Sequence, residues 1–408
     1  MIRSRQARST LVGLAAGAVV VGLLPAAPAL AHSDAPTVRV IADGLLNPRG
    51  VTIGRDGAVY VAEAGAGGPM AAEVPGGGGP SGSTLCFGET GGVTKVQHGS
   101  QRRIVNGLPS YSGAGENGTC DPAAIGFAAT GPHDVVADHP NTMLIAMGLG
   151  APPEVRDTIA QDISFAREFG TVKRVRGYGG ERTIADLAAY EGANDPDGGG
   201  PDANPYSVAA LRGGATLAVD AGANALLRVG ANGRISTVAT FPAAVRPVPA
   251  LTCPAPPDFP PAGTPIPSQA VPTSVVVGPD GAYYVGQLTG FPFAPGEARV
   301  FRVDPRTGHV STYARGFSAI VDIAFGPDRS LYVLEIARAG LLDAEVCGNL
   351  PGRLVKVSHG KKSEVRVPGL EVPGGLAVAK DGTIYVSNRS ILPGGAGQLL
   401  KVTPRRGH

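Results

Sequence analysis

One phrase recurs six times along this chain, and a chain that must pack six near-copies of a single hairpin has few folds open to it. Its clearest form is NPRGVTIGRDGAVYVAEAG, residues 47–65: a proline, a β-branched run, a turn on Arg55-Asp56-Gly57, a second β run and then Glu63. The copies span 48–63, 132–147, 205–220, 272–287, 320–335 and 373–388, among them VPTSVVVGPDGAYYVGQ, IVDIAFGPDRSLYVLE and VPGGLAVAKDGTIYVSN. Two apolar, β-branched runs around an Asp-Gly turn predict a β-hairpin at each copy.

After most copies comes a second, weaker pair of strands, such as ALLRVGANGRISTVA (225–239) and RVFRVDPRTGHVSTYA (299–314). Four strands per unit, lettered A to D from the centre outward and repeated around a circle, predict an all-β, six-bladed β-propeller. The chain ends on a third strand, GQLLKVT (397–403), and TVRVIADGL (37–45) is an orphan outer strand. Pairing the two seals the ring and removes an edge that would invite aggregation. A β-sandwich would explain neither the six in-phase copies nor the displaced strand.

Residues 1–31 read as a secretory signal peptide: Arg3, Arg5 and Arg8, an apolar stretch from Leu11 to Leu24, and Ala29-Leu30-Ala31 as the cleavage site. That stretch is shorter than the roughly 18 residues a membrane span needs. The mature chain is expected to begin near His32 and run to residue 408 as one domain, secreted or periplasmic, monomeric and without a membrane span. Losing three arginines takes the formal charge from +2 to −1, which excludes an electrostatic nucleic-acid binder. Glycine (61) and proline (37) together reach about twice their usual share, as a turn-dense fold requires. Four cysteines in an exported chain predict two disulfides, paired by blade proximity as Cys86 with Cys120 and Cys253 with Cys347.

Antiparallel strands send the A–B and C–D turns to one face and the B–C loops and blade connections to the other. The long insertions, 64–90, 108–131, 148–169, 187–204, 240–271, 288–297 and 336–352, all fall on that second face and hold every cysteine. It is the expected working face, with the disulfides stapling a cap that has little core of its own. Strand B ends there in Glu63, Met147, Asp220, Gln287, Glu335 and Asn388, while Asp134 and Asp322 lie at the mouth of strand A. These would ring the channel mouth as ligand-binding groups, with Glu63, Asp134 and Glu335 as metal ligands. Carboxylates with amide oxygens suit calcium or a polyhydroxylated ligand. Their structural alternative is capping of blade-edge N–H groups.

His133 and Asp134 are the catalytic candidates, with His133 as general base; His133 is otherwise an ordinary polar residue with no nucleophile beside it. Arg49, its counterpart in the first copy, either clamps an anion or bridges neighbouring acids. NDPDGGGPDANP (194–205) has the composition of a calcium loop without the full ligand register, and such runs are usually turns. Phe291 and Phe293 form either an apolar ligand wall or a plug over their blade. G-x-S-x-G, P-loop, H-E-x-x-H and dinucleotide-binding patterns are absent.

The strings NPRGVTIGRDGAVYVAEAG, CFGETGGVTKV, NPYSVAAL, VDAGANALLRV, VPTSVVVGPDGAYYVGQLTGFPF and YVSNRS resemble the ScyD/ScyE family of exported bacterial propellers over essentially the whole mature chain. The resemblance implies the fold and export, and no defined reaction. More distantly, the repeats look like NHL-repeat and TolB-type propellers and the calcium-dependent gluconolactonase group. That group holds its metal with Asn or Asp in the middle of P-x-G phrases, where this chain has Arg49, His133, Tyr206, Thr273, Val321 and Gly374. Three classes therefore stand. The first is a protein binding a small molecule, glycan or protein partner on the long-loop face. The second is a calcium-dependent hydrolase, lactonase or sugar oxidoreductase. The third is an architectural protein of the cell envelope.

Overall fold

The computed structural model describes residues 36–74, 83–115, 118–121, 125–139, 142–176 and 180–404; the expected signal peptide and the mature start near His32 lie outside them. Six antiparallel sheets follow one another as blades, with innermost A strands Pro48–Ile53, Pro132–His139, Pro205–Ala210, Pro272–Val277, Ile320–Phe325 and Gly375–Val378. Each A strand packs beside the next and the last packs beside the first, so the circle is complete. The sealing strand is the expected one: Thr37–Leu45 pairs antiparallel with Gly397–Thr403. Among the described residues no helix is long and apolar enough to cross a membrane.

The repeated phrase folds through its aspartate. In blade 1 the Ala58 N–H donates to Asp56 Oδ1 at 3.1 Å, and Oδ2 takes the Tyr60 hydroxyl at 3.0 Å and the Lys95 ammonium at 2.7 Å. Blade 4 repeats this with Asp280, Ala282, Tyr284 and Arg302. The Asx turn sets the A–B connection and the tyrosine and cation tie it to strands B and C. The next position is left-handed, with Gly57 at φ +74° and Gly281 at +80°, but blade 5 places Arg329 there at +62°.

Blades adhere through apolar faces between neighbouring sheets. Leu144, Val172 and Leu187 from the blade 2 side meet Val208, Ala218 and Leu227 of blade 3, and Tyr284, Val300 and Phe317 of blade 4 meet Ile323, Val333 and Val355 of blade 5. Burial of both faces explains why strands A to C are nearly continuous apolar runs.

The long-loop face carries more structure than the sequence predicts. Segments expected as loops hold strand Met70–Val74 and the outer halves of Ser83–Gln97 and Ser100–Gly113, which together stand beyond blade 1. Among the described residues the helices α1 (Pro153–Ile159), α2 (Leu187–Asn194) and α3 (Leu341–Cys347) and the hairpin Ala244–Pro247 with Pro265–Ser268 add to the cap. The cap also has a core of its own, contrary to expectation. Phe87, Tyr111 and Phe169 form a triangle with centroid separations of 5.3, 6.1 and 5.3 Å, surrounded by Leu149, Ile163 and Ala188. Both disulfides pair as expected, Cys86–Cys120 and Cys253–Cys347.

Candidate functional site

Five of the six A strands begin with the same irregularity: register shifts fall between Pro48 and Val51, Pro132 and Asp134, Pro205 and Ser207, Pro272 and Ser274, and Ile320 and Asp322. A bulge turns the extra residue out of the ladder and re-aims its side chain. Here it sends Arg49, His133 and Tyr206 to one another. The His133 and Tyr206 rings lie 4.8 Å apart, and Arg49 sits beside the Tyr206 phenol. Arg49 Nη2 donates to Ala129 O at 2.9 Å, and His133 Nδ1 lies 3.2 Å from Pro205 O. Arg49 is 6% exposed and His133 4%, so this layer closes the channel on the long-loop side. Burial, reinforced by the Arg49 charge, lowers the His133 pKa to about 3, which leaves a neutral and weak base.

One residue deeper, the side chains join blades. Asp134 Oδ2 accepts the Ser207 hydroxyl at 3.0 Å and the Val208 N–H at 2.9 Å. Ser207 Oγ accepts the Val275 N–H at 3.3 Å, and Asp322 Oδ2 accepts the Leu376 N–H at 2.7 Å. Glycine serves the same layer where backbones touch: a Cβ on Gly375 would lie 2.5 Å from Arg49 O and 2.7 Å from Gly50 Cα. His133 and Asp134, adjacent in sequence, thus engage different partners. Burial raises the Asp134 pKa to about 6, and burial with the Asp134 charge raises Asp322 well above the carboxylate range.

Beyond this layer the channel opens into a cavity of about 410 Å³ lined by all six A strands. Asp134, Ser207 and Asp322 form its floor, and Ile53, Val277, Phe325 and Val378 its outer collar. Strand direction places the collar beside the A–B turns, so the cavity opens on the short-turn face, opposite the expected working face.

The strand-B residues expected to ring the long-loop mouth lie inside their blades. Glu63 accepts the Leu46 N–H at 2.8 Å and the Thr94 hydroxyl at 2.6 Å. Asp220 Oδ1 accepts the N–H groups of Asn204, Gly222 and Ala223, Glu335 accepts that of Ser318, and Asn388 that of Glu371. Each thereby fixes the chain entering its own blade or the turn leaving strand B. Gln287 is 1% exposed, with its Oε1 unpartnered among the described residues. Glu63, Asp134 and Glu335, on blades 1, 2 and 5, share no partner in these contacts and do not converge. Among the described residues the three-carboxylate group whose ligand atoms fall within 4.8 Å of one another is Glu191, Asp195 and Asp197. The acidic string 194–205 signalled it, but Glu191 lies a helical turn upstream. Phe293 packs against the blade 5–6 core, whereas Phe291 is 40% exposed, beside Phe259 at 6.1 Å.

No protein-family model and no curated protein matches the sequence. Solved structures that match it are propellers. The calcium-binding protein regucalcin of Agrobacterium tumefaciens aligns at 13% identity and TM-score 0.48, covering 91% of this chain and 96% of that one. A glucose-dehydrogenase-type oxidoreductase of Thermus thermophilus aligns at 14% and 0.46, covering 90% and 99%, and a streptogramin B lyase at 11% and 0.44, covering 91% and 98%.

Proposed function

We propose that this protein is an exported binding propeller whose ligand, a small molecule rich in hydrogen-bond donors, enters from the short-turn face and rests on the channel floor. The observation that carries this reading is the pair Asp134 and Asp322, two half-buried carboxyls at the base of an accessible cavity, the second of them raised further by the charge of the first. Latching to neighbouring N–H groups needs an acceptor, and an amide would supply one without the like-charge cost. Carboxyls there also offer lone pairs to hydroxyl or ammonium donors, and the aliphatic collar suits the apolar flank of a polyol or amine. The two disulfides support export.

The test is a thermal-shift and calorimetric panel of monosaccharides, inositols, linear polyols and primary amines, on wild type and on Asp134→Asn and Asp322→Asn. At least one compound is expected to bind wild type and to lose tenfold or more in affinity to each variant. A panel without binders, or binders indifferent to both substitutions, would reject the channel as the site.

A further inference from the structure

We propose that Glu191, Asp195 and Asp197, backed by Asp202 and Asp220, form a calcium site that pins the connection between blades 2 and 3 onto blade 3. This does not rest on the channel reading, since the site lies on other elements.

Asp186 ends blade 2 and caps α2, accepting the Ala189 N–H at 2.9 Å. Glu191 lies in the last turn of α2, Asp195 is its C-terminal cap, and Asp197 and Asp202 follow in the connection to strand Pro205–Ala210. Asp220 ends the second strand of blade 3. Four carboxyls of this connection and one of blade 3 thus approach one another at the negative end of a helix whose last turn has no basic residue. Clustering carboxylates at that end is electrostatically unfavourable. Among the described residues no lysine, arginine or histidine forms an ion pair with any of the five.

The decisive feature is Glu191. Its side chain is 0% exposed, and both carboxylate oxygens lack a hydrogen-bond partner among the described residues. Oδ1 of Asp202 and Oδ2 of Asp220 are likewise buried and unpartnered. A buried carboxylate whose nearest donor, the Asp202 backbone N–H, falls outside ordinary hydrogen-bond geometry is costly, and acids are rarely buried unless paired or bound to metal. By contrast, the other oxygens of the cluster are fixed: Asp197 accepts the Gly199 N–H at 2.8 Å and the Asn224 amide at 2.8 Å, and Asp195 accepts the Gly200 N–H at 3.2 Å. The cluster is therefore held by its surroundings while its inner oxygens stay open.

An all-oxygen, multiply anionic donor set without histidine or cysteine suits a hard cation, and its irregular, many-carboxylate form suits calcium better than the strict octahedron of magnesium. Burial and the charges of Asp220, Asp197 and Asp195, against a nearby Asp202 backbone N–H, raise the Glu191 pKa to about 8. A bound dication would remove that repulsion.

The experiment uses the mature chain stripped with EDTA, then titrated with calcium or magnesium chloride to about 10 mM, above the weakest class of extracellular calcium modules. Melting temperature and terbium luminescence are the readouts. Calcium is expected to raise the melting temperature of wild type by on the order of 5 °C, with magnesium much weaker. Glu191→Gln should abolish the response and melt higher than wild type in EDTA, because it removes an acid that without a cation must either take up a proton or be buried charged. Asp197→Asn should weaken the response tenfold or more. Asp322→Asn, in the channel, should leave it intact. A wild type unmoved by calcium overturns the proposal, as does Glu191→Gln with an unchanged calcium response or with lower stability in EDTA.

Discussion

Asp322 in blade 5 accepts the backbone N–H of Leu376 in blade 6 at 2.7 Å, a bond between neighbouring innermost strands that no sheet ladder supplies. Asp134 in blade 2 does the same for Val208 in blade 3, half the ring away. Truncating either leaves a buried N–H unmet, which typically costs about 1–3 kcal/mol. Replacement by asparagine keeps an acceptor and removes a buried charge. Asp322→Ala is therefore expected to lower stability by about 1–3 kcal/mol and Asp322→Asn by less, as read from urea unfolding midpoints. Equal losses would show that charge, not acceptance, matters at this position.

The same layer predicts a steric seam where blade 6 meets blade 1. A Cβ on Gly375 would meet Arg49 O at 2.5 Å, and one on Gly374 would meet Pro48 O at 2.5 Å, both backbone atoms that cannot swing aside. Gly375→Ala should cost at least about 1–3 kcal/mol, the range for overpacking. Gly99→Ala, at a site with no heavy atom within 4 Å but φ +76°, reports backbone strain alone. If Gly375→Ala melts with wild type, the ring is looser at its seam than these distances allow.

How much of this was legible beforehand follows from what repeats. The hairpin phrase recurs because each blade needs the same tight A–B turn, so blade number and closure by Thr37–Leu45 could be read from spacing, and the disulfide partners followed from which blades lie side by side. Side-chain direction could not. Glu63 and Glu335 end strands near the axis, yet in the structure they bind the incoming chain of their own blades. The bulge that opens five of the six A strands was equally hidden, and in blades 1 to 3 it turns Arg49, His133 and Tyr206 across the long-loop end of the channel. Linear pattern also kept Glu191 apart from Asp220, which only blade packing brings together.

Arg329 occupies, at φ +62°, the turn position that blades 1, 4 and 6 give to Gly57, Gly281 and Gly382. A non-glycine residue pays roughly 1–2 kcal/mol in this conformation, partly offset by about 0.4–1 kcal/mol from the greater unfolded freedom of glycine. Arg329→Gly should accordingly stabilise the protein by about 0.5–1 kcal/mol in denaturant titrations. A loss of stability would mean that the arginine side chain makes a contribution exceeding its backbone strain.

The Cys253–Cys347 bridge closes a separation of 94 residues between the blade 3–4 connection and α3. Beside it Asp343 accepts the Thr252 N–H at 2.7 Å, the Thr252 hydroxyl at 2.9 Å and the Asn349 amide at 2.9 Å. The double variant Cys253→Ser/Cys347→Ser should lose about 2–4 kcal/mol, with Asp343 keeping the two segments in register. Adding Asp343→Ala to that variant is expected to cost more than in the oxidised wild type, since the clasp then stands alone. Calorimetric melting of the four proteins measures this coupling, and simple additivity would deny it.

Stability should depend on pH through groups that act in opposite directions. Asp134, Asp220 and Glu191 have pKa values raised to about 6, 7 and 8, so the folded chain holds protons that the unfolded chain, at about 4, has released. Their contribution is complete at low pH and is lost as pH rises through those values. His133, lowered to about 3 against an unfolded value near 6.5, contributes above that value and loses its contribution as pH falls. Above pH ~6.5 the histidine is neutral in both states, so the carboxyls alone set the slope. In EDTA the urea midpoint of wild type should therefore fall between pH ~6.5 and ~8.5, and Glu191→Gln should flatten the upper part of that fall. Calcium should flatten it as well, because a cation that occupies the Glu191 carboxylate takes the place of the proton. A wild-type midpoint constant over this window, with chelator present, would mean that Glu191 is ionised in the folded chain without a counter-ion.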